Sequence, residues 1–108
     1  MKHYKVIVAD EAVDDLESIY HYIAEVLFAP DAAEHVYNSL IEAMGSLKEM
    51  PDRIRIMDLK TKSGQVLRKM NVGKYAIIFT IRKETVSIIN IFYGASDIDN
   101  KLDNKGDE

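Results

Sequence analysis

Residues 66–94, VLRKMNVGKYAIIFTIRKETVSIINIFYG, constrain the fold more than any other part of this chain. Three runs rich in Val, Ile, Phe and Tyr are separated by turn-like breaks at Val72-Gly73-Lys74 and at Arg82-Lys83-Glu84-Thr85. β-Branched and aromatic side chains suit a pleated surface, so each run is a predicted strand. The breaks are too short to hold a crossover helix, which forces neighbouring strands to run antiparallel. Alternation in the middle run puts Ile77, Phe79 and Ile81 on one face and Ala76, Ile78 and Thr80 on the other. The last run is apolar on both faces, with Val86, Ile88 and Phe92 opposed to Ile89, Ile91 and Tyr93. A strand of that kind is covered on both sides, so an antiparallel meander is expected with this strand well inside the sheet.

The preceding half reads as one short strand and two helices. Tyr4 to Ala9 is a short strand. Asp10 and Glu11 suit a first helical turn, where carboxylates meet the positive end of the peptide dipoles. From Ala12 the apolar positions Leu16, Ile19, Tyr20, Ile23, Val26 and Leu27 form one stripe at helical spacing, with Asp14, Asp15, Glu17 and His21 mainly opposite. Pro30 disfavours helical geometry in the residue before it, so the helix is predicted to stop near Leu27 to Ala29. Pro30 and Asp31 open a second helix, striped by Ala33, Val36, Tyr37, Leu40, Ile41, Met44 and Leu47 and ending near Met50-Pro51-Asp52. So tight a connection predicts an antiparallel helical hairpin lying on one face of the sheet. Residues 53–65 suggest a short extended piece and an exposed loop. The segment after Gly94 offers only Ile98 and Leu102 to bury, and residues 99–108 are expected to be a mobile tail. The predicted order is β-α-α-β-β-β in one α+β domain spanning residues 1–108, with a three-stranded meander and the first strand lying beside the last.

At 108 residues the chain suits a single modest core. No apolar run approaches the ~18 residues of a membrane span, and Asp10 and Glu11 interrupt the N-terminus too early for a signal-peptide core. Without Cys there is neither a disulfide nor a thiolate metal site. A cytoplasmic protein with no membrane partner is the expectation. The net charge of −4 conceals a division along the chain. Residues 1–52 carry three Lys against eleven acids, a balance of −8; residues 53–83 carry nine Lys and Arg against Asp58 alone, a balance of +8. A basic stretch of this kind suits a negatively charged partner, nucleic acid or an acidic protein segment. The plainer account is a solvated loop and hairpin that are basic on one face.

Little in the sequence points to a defined catalytic centre. His3, His21 and His35 have no partner at metal-ligand spacing, and neither a metal nor another cofactor is expected. Glu17 and His21 are four residues apart on a helix, which more simply gives a solvated pair; the adjacent Asp14 and Asp15 read as a solvated face. No Gly-rich phosphate loop or nucleophile elbow is present. The informative side chains lie on the sheet and its approach. Arg53, Arg55, Lys69, Lys74, Tyr75 and Arg82 are candidates for binding a target or partner, cations for negative charge and Tyr for stacking. If the chain cleaves RNA, Arg68 and Tyr93 are the pair available to stabilise the phosphate and move the proton. The plainer accounts are an ion pair for Arg68 and a half-buried core ring for Tyr93.

Residues 4–98 resemble toxins of the RelE/ParE superfamily, from bacterial type II toxin–antitoxin modules. The likeness rests on YKVIVADEAVDDLESIYHYIAE, on APDAAEHVYNSLIEAMGSLKEMPD, and on the phrases LR…VGKY and YGASD. It implies a helical hairpin packed on a curved antiparallel sheet, growth inhibition, a role in plasmid stabilisation, and a cognate antitoxin as partner. Members commonly carry Arg after the Tyr of the central strand, where this chain has Ala76; His where it has Tyr93; and Arg near Ala95 and Ser96. RNA-cleaving members rely on such groups, and losing one strong transition-state contact costs ~2–4 kcal/mol. The resemblance therefore implies the ParE branch, whose members act on DNA gyrase without that nuclease set. The alternatives are a RelE-like endonuclease that cuts ribosome-bound mRNA through Arg68 and Tyr93, and a detoxified relative kept as an antitoxin-binding module. All three share one fold, so the fold does not choose among them.

Overall fold

Lys5–Val8 (β1) alternates between exposed and half-buried residues and enters the first helix through Ala9. The computed structural model describes residues 3–60 and 64–94, with the side chains of 58–60 excepted. The helix Asp10–His21 (α1) has Asp10 and Glu11 in its first turn, as expected. It passes into a π-helical turn over Tyr22–Val26, where the Leu27 N–H donates to the Tyr22 carbonyl five residues back at 3.0 Å. This widened turn takes the last residues of the predicted stripe out of phase. Ala12, Leu16 and Ile23 are buried, but Val26 and Leu27, expected in the core, are exposed. Pro30–Ser46 (α2) begins at the expected proline and ends at Ser46, earlier than the predicted Met50-Pro51-Asp52, which instead leads into a 3₁₀ turn over Pro51–Arg53. Ala33, Leu40, Met44 and Leu47 are buried, while Tyr37 and Ile41 lie at the margin of the stripe and are exposed.

Four strands follow: Ile56–Lys60 (β2), Val66–Val72 (β3), Tyr75–Arg82 (β4) and Thr85–Tyr93 (β5). The sheet order is β1-β5-β4-β3-β2, antiparallel throughout except for β1, which runs parallel to β5. The α+β class, the order of elements, the inner position of β5 and the place of the first strand beside it follow the sequence reading. The meander is one strand longer than expected, because the short extended piece pairs with β3, with an irregularity between Ile56 and Lys60. Its polar, weakly alternating sequence is tolerable because β2 is an edge strand.

The central strands bury both faces. Ile77, Phe79, Val86, Ile88 and Ile91 pack with Leu16, Leu40, Met44 and Leu47 of the helical hairpin. Leu67, Ala76 and Ile78 form a second cluster with Met57, Ile89 and Phe92 on the other face. Strict alternation put Phe92 with Val86 and Ile88, and Ile91 with Ile89; the structure exchanges them. Phe79 pairs with Ile88 but its neighbour Ile78 pairs with Asn90, so Ile89 is an extra residue that reverses the phase beyond it. At this bulge the carboxylate of Asp15 accepts the Ile91 N–H at 2.9 Å and the Asn90 side-chain amide at 3.1 Å. Asp15, expected on a solvated face, thus turns toward the sheet.

Candidate functional site

The most distinctive surface lies where the β3–β4 turn meets the end of the helical hairpin. Val72 and Tyr75 close a two-residue turn in which Gly73 adopts φ +60°, a left-handed conformation that glycine takes without steric cost. Tyr75 pairs across the sheet with Tyr93, and their rings meet edge to face with centroids 5.3 Å apart. The Gly94 N–H donates to the Lys74 carbonyl at 3.0 Å and holds the end of β5 against the turn. Burial raises the Tyr75 hydroxyl above its usual pKa, reinforced by the neighbouring Tyr93 and Tyr22 hydroxyls. This electrostatic proximity brings the π-helical turn into the same region.

Between this turn and α2 lies a groove of about 390 Å³. Its walls are Leu27, Val36, Leu40 and Val72; its polar groups are His35, Ser39, Lys74 and the two tyrosines. Beyond Leu27 the chain reverses through Phe28, a bulky residue held at φ +55° and 86% exposed. Tyr22 and Tyr93 are exposed by more than half. Ordinary packing does not account for a left-handed, solvated phenylalanine beside a π-helical turn, and both features are frequent at binding surfaces.

The residues singled out from sequence fall in three places. Arg53, Arg55, Arg68 and Lys69 gather along the β2–β3 side. There the Arg68 guanidinium donates to the carbonyls of Ile54 at 2.6 Å and Asp52 at 3.1 Å, the Arg53 guanidinium donates to Met50 O at 3.2 Å, and the Lys69 N–H approaches Arg55 O at 3.4 Å. Lys74, Tyr75 and Tyr93 form the mouth of the groove. Arg82 lies at the far end of β4, seven residues from Tyr75 and hence about 23 Å along the strand. Arg68 and Tyr93 are not brought together: Arg68 pairs with Phe79 and Tyr93 with Tyr75, about 13 Å apart along β4 alone. Among the described residues, the contacts of the Arg68 guanidinium are these backbone carbonyls of Ile54 and Asp52.

His21 pairs with Glu25 at 3.5 Å rather than with Glu17, and both side chains are mostly exposed. Ala76 is fully buried in the second cluster, whereas Ala95, Ser96, Ile98 and the expected tail at 99–108 lie outside the described residues. Among the described residues no group of three or more His, Asp or Glu could hold a metal ion, and no helix is long and apolar enough to cross a membrane. The contributions of Tyr22, Leu27, Phe28 and His35 were missed by sequence reasoning. Their one visible signal was an apolar stripe running on into Leu27-Phe28, one residue short of the Ala29-Pro30 break.

Residues 6–98 match the family model described as the ParE toxin of the type II toxin–antitoxin system parDE. The chain belongs to the ParE toxin family. No curated protein matches it by sequence. Among solved structures, a chain of the chromosomal ParDE toxin–antitoxin system from P. aeruginosa is similar at 18% identity and a TM-score of 0.66, covering 87% of this chain and 99% of that one. The archaeal RelE–RelB complex from Pyrococcus horikoshii OT3 follows at 18% identity and 0.57, covering 88% and 98%. The toxin–antitoxin complex RelBE2 from Mycobacterium tuberculosis is similar at 22% identity and 0.58, covering 88% and 95%. At these identities the likeness establishes the shared fold, and the family match carries the assignment to a type II toxin.

Proposed function

We propose that this ParE-family toxin stops growth by binding a protein target such as DNA gyrase, and that a cognate antitoxin holds it inactive. The observation that carries this reading is the composition of the exposed end of the molecule. Tyr22, Phe28 and Tyr93 stand in solvent around an apolar groove, and aromatic anchors of this kind supply much of the free energy of protein–protein recognition. The nuclease alternative asks Arg68 and Tyr93 to share one scissile phosphate, which fits poorly with their separation of about 13 Å along β4. The antitoxin is supported by family membership and by the similar structures, whose titles describe toxin–antitoxin systems or complexes.

Two assays with the same purified protein test the reading. Gyrase supercoiling is followed as the toxin is titrated, and cleavage of ribosome-bound message is followed in parallel. The expected outcome is loss of supercoiling with the message intact. Cleaved message with normal supercoiling would replace this reading with the endonuclease.

A further inference from the structure

We propose that Asp15 selects the register of β5 beyond Ile88, and through it decides which face of the sheet carries Tyr93. The functional half of this inference rests on the reading of the aromatic end as the target-binding surface; the structural half stands without it.

The apolar pattern of β5 leaves its register open. Without the extra residue, strict alternation from Val86 and Ile88 would carry Phe92 to the helical face and Ile91 and Tyr93 to the other. Each core cluster would still receive one large apolar side chain, because Ile91 and Phe92 exchange places. Such a swap changes buried apolar area little, so the hydrophobic pattern that normally fixes register does not choose here. Tyr93 is the residue whose surroundings change. In the bulged register it pairs with Tyr75 and lines the groove; in the regular one Phe92 would stand opposite Tyr75.

The backbone shows what decides between the two. The Ile88 carbonyl accepts the Ala9 N–H at 2.9 Å, so the polar groups of Ile88 face the β1 side. Alternation from there would turn the Ile91 N–H toward β4. It points the opposite way, where β1 has already given way to α1, and the Asp15 carboxylate accepts it at 2.9 Å. The same oxygen accepts the side-chain amide of Asn90, a residue only 2% exposed, at 3.1 Å. Asn90 and Ile91 therefore both turn toward the helices, which is the reversal of phase itself. The Ile91 bond exists only in the bulged register. A partly buried polar contact of this kind discriminates between two packings of equal apolar content. Asp15 is a positioning residue that acts through the β5 backbone on Tyr93.

The test uses the full chain in three forms: the parent, Asp15→Ala, and Asp15→Ala with Asn90 deleted. The deletion leaves Ile88-Ile89-Ile91-Phe92-Tyr93, which alternates onto the observed faces without a bulge. Register is read by NMR from the ring-to-ring contact of Tyr75 and Tyr93. Inhibition of gyrase supercoiling is titrated alongside. Asp15→Ala is expected to raise the ratio of regular to bulged register about tenfold or more, the worth of one hydrogen bond to a charged group. This appears as a second set of resonances lacking the ring contact. The deletion is expected to restore one form with the contact, although the carboxylate is still missing. Failure of Asp15→Ala to fold, beside a doubly changed chain that folds with the contact intact, supports the proposal equally. A single register with the contact in Asp15→Ala overturns it. So does a doubly changed chain that is unfolded or still mixed, because shortening β5 does not rescue a contact of general stability. Potency against gyrase is expected to fall to the fraction left in the bulged register and to return with the deletion. Unchanged potency in a chain shown to be mixed overturns the functional half. A parent chain that leaves gyrase untouched removes the target reading alone, and the register outcomes still judge Asp15.

Discussion

Arg68 illustrates how a plausible catalytic cation is taken up by structure. Its guanidinium satisfies the carbonyls of Ile54 and Asp52 and pins the segment between α2 and β2 to β3. Arg68→Ala is therefore expected to lower stability by about 1–3 kcal/mol, read as a fall in the urea midpoint. An unchanged midpoint would return Arg68 to the list of purely functional residues. Tyr75 makes a prediction of a different kind. Burial and the Tyr93 and Tyr22 hydroxyls raise its pKa above the usual 10.0, so the fold favours the neutral phenol. The resulting stability is fully present below pH 10.0 and is lost as pH rises through the folded value, because the unfolded chain releases its proton first. Tyr75→Phe removes this titration. Denaturation followed from pH 8 to pH 12, about two units either side of the tyrosine value, is expected to show the parent losing stability more steeply than Tyr75→Phe on the alkaline side. Parallel curves would sink the argument. Asp15 shows what residue type alone conceals. It lies on the same helix stripe as Ala12, Leu16 and Ile19, and that position, rather than its charge, directs it to the β5 bulge.

Strands and helices were legible where periodicity was long and unbroken. α1, α2, β3, β4 and β5 each have a run of apolar residues at one clear period, and each was expected near its observed position. The failures fall where one residue is added to a regular ladder. Ile89 reverses the phase of β5, and the π-helical turn at Tyr22–Val26 exposes Val26 and Leu27. Such an insertion depends on what packs across it, here Asp15 at the bulge and Pro30 after the turn, so local alternation does not reveal it. The two tight hairpins provide a matched test of backbone strain. The first loop residue has φ +60° at Gly73 and φ +56° at Lys83. Gly73→Ala is expected to cost about 1 kcal/mol and Lys83→Gly to add about the same, because an L side chain is disfavoured in the left-handed region. Thermal midpoints that move the same way in both variants would contradict this account.

Over the entire chain the division of charge was visible in sequence, but its distribution in space was not. The described cations of the basic stretch fall in three places: the β2–β3 side, the mouth of the groove, and the Arg82 end of β4. Its linear density therefore overstated a single nucleic-acid surface. The candidate site was legible only in part. Lys74, Tyr75 and Tyr93 were anticipated on the sheet, whereas His35 and Ser39 come from a helix face whose buried stripe drew attention to its neighbours. The apolar end of the molecule arises from tertiary packing of a hairpin connection against a β-turn, a juxtaposition that no sequence window contains. The most direct measurement is viable count after tightly controlled expression of this chain alone in a bacterium, with and without co-expression of the protein encoded beside it. Expression alone is predicted to stop growth and co-expression to restore it. Undiminished viability while the folded chain accumulates would contradict the toxin assignment.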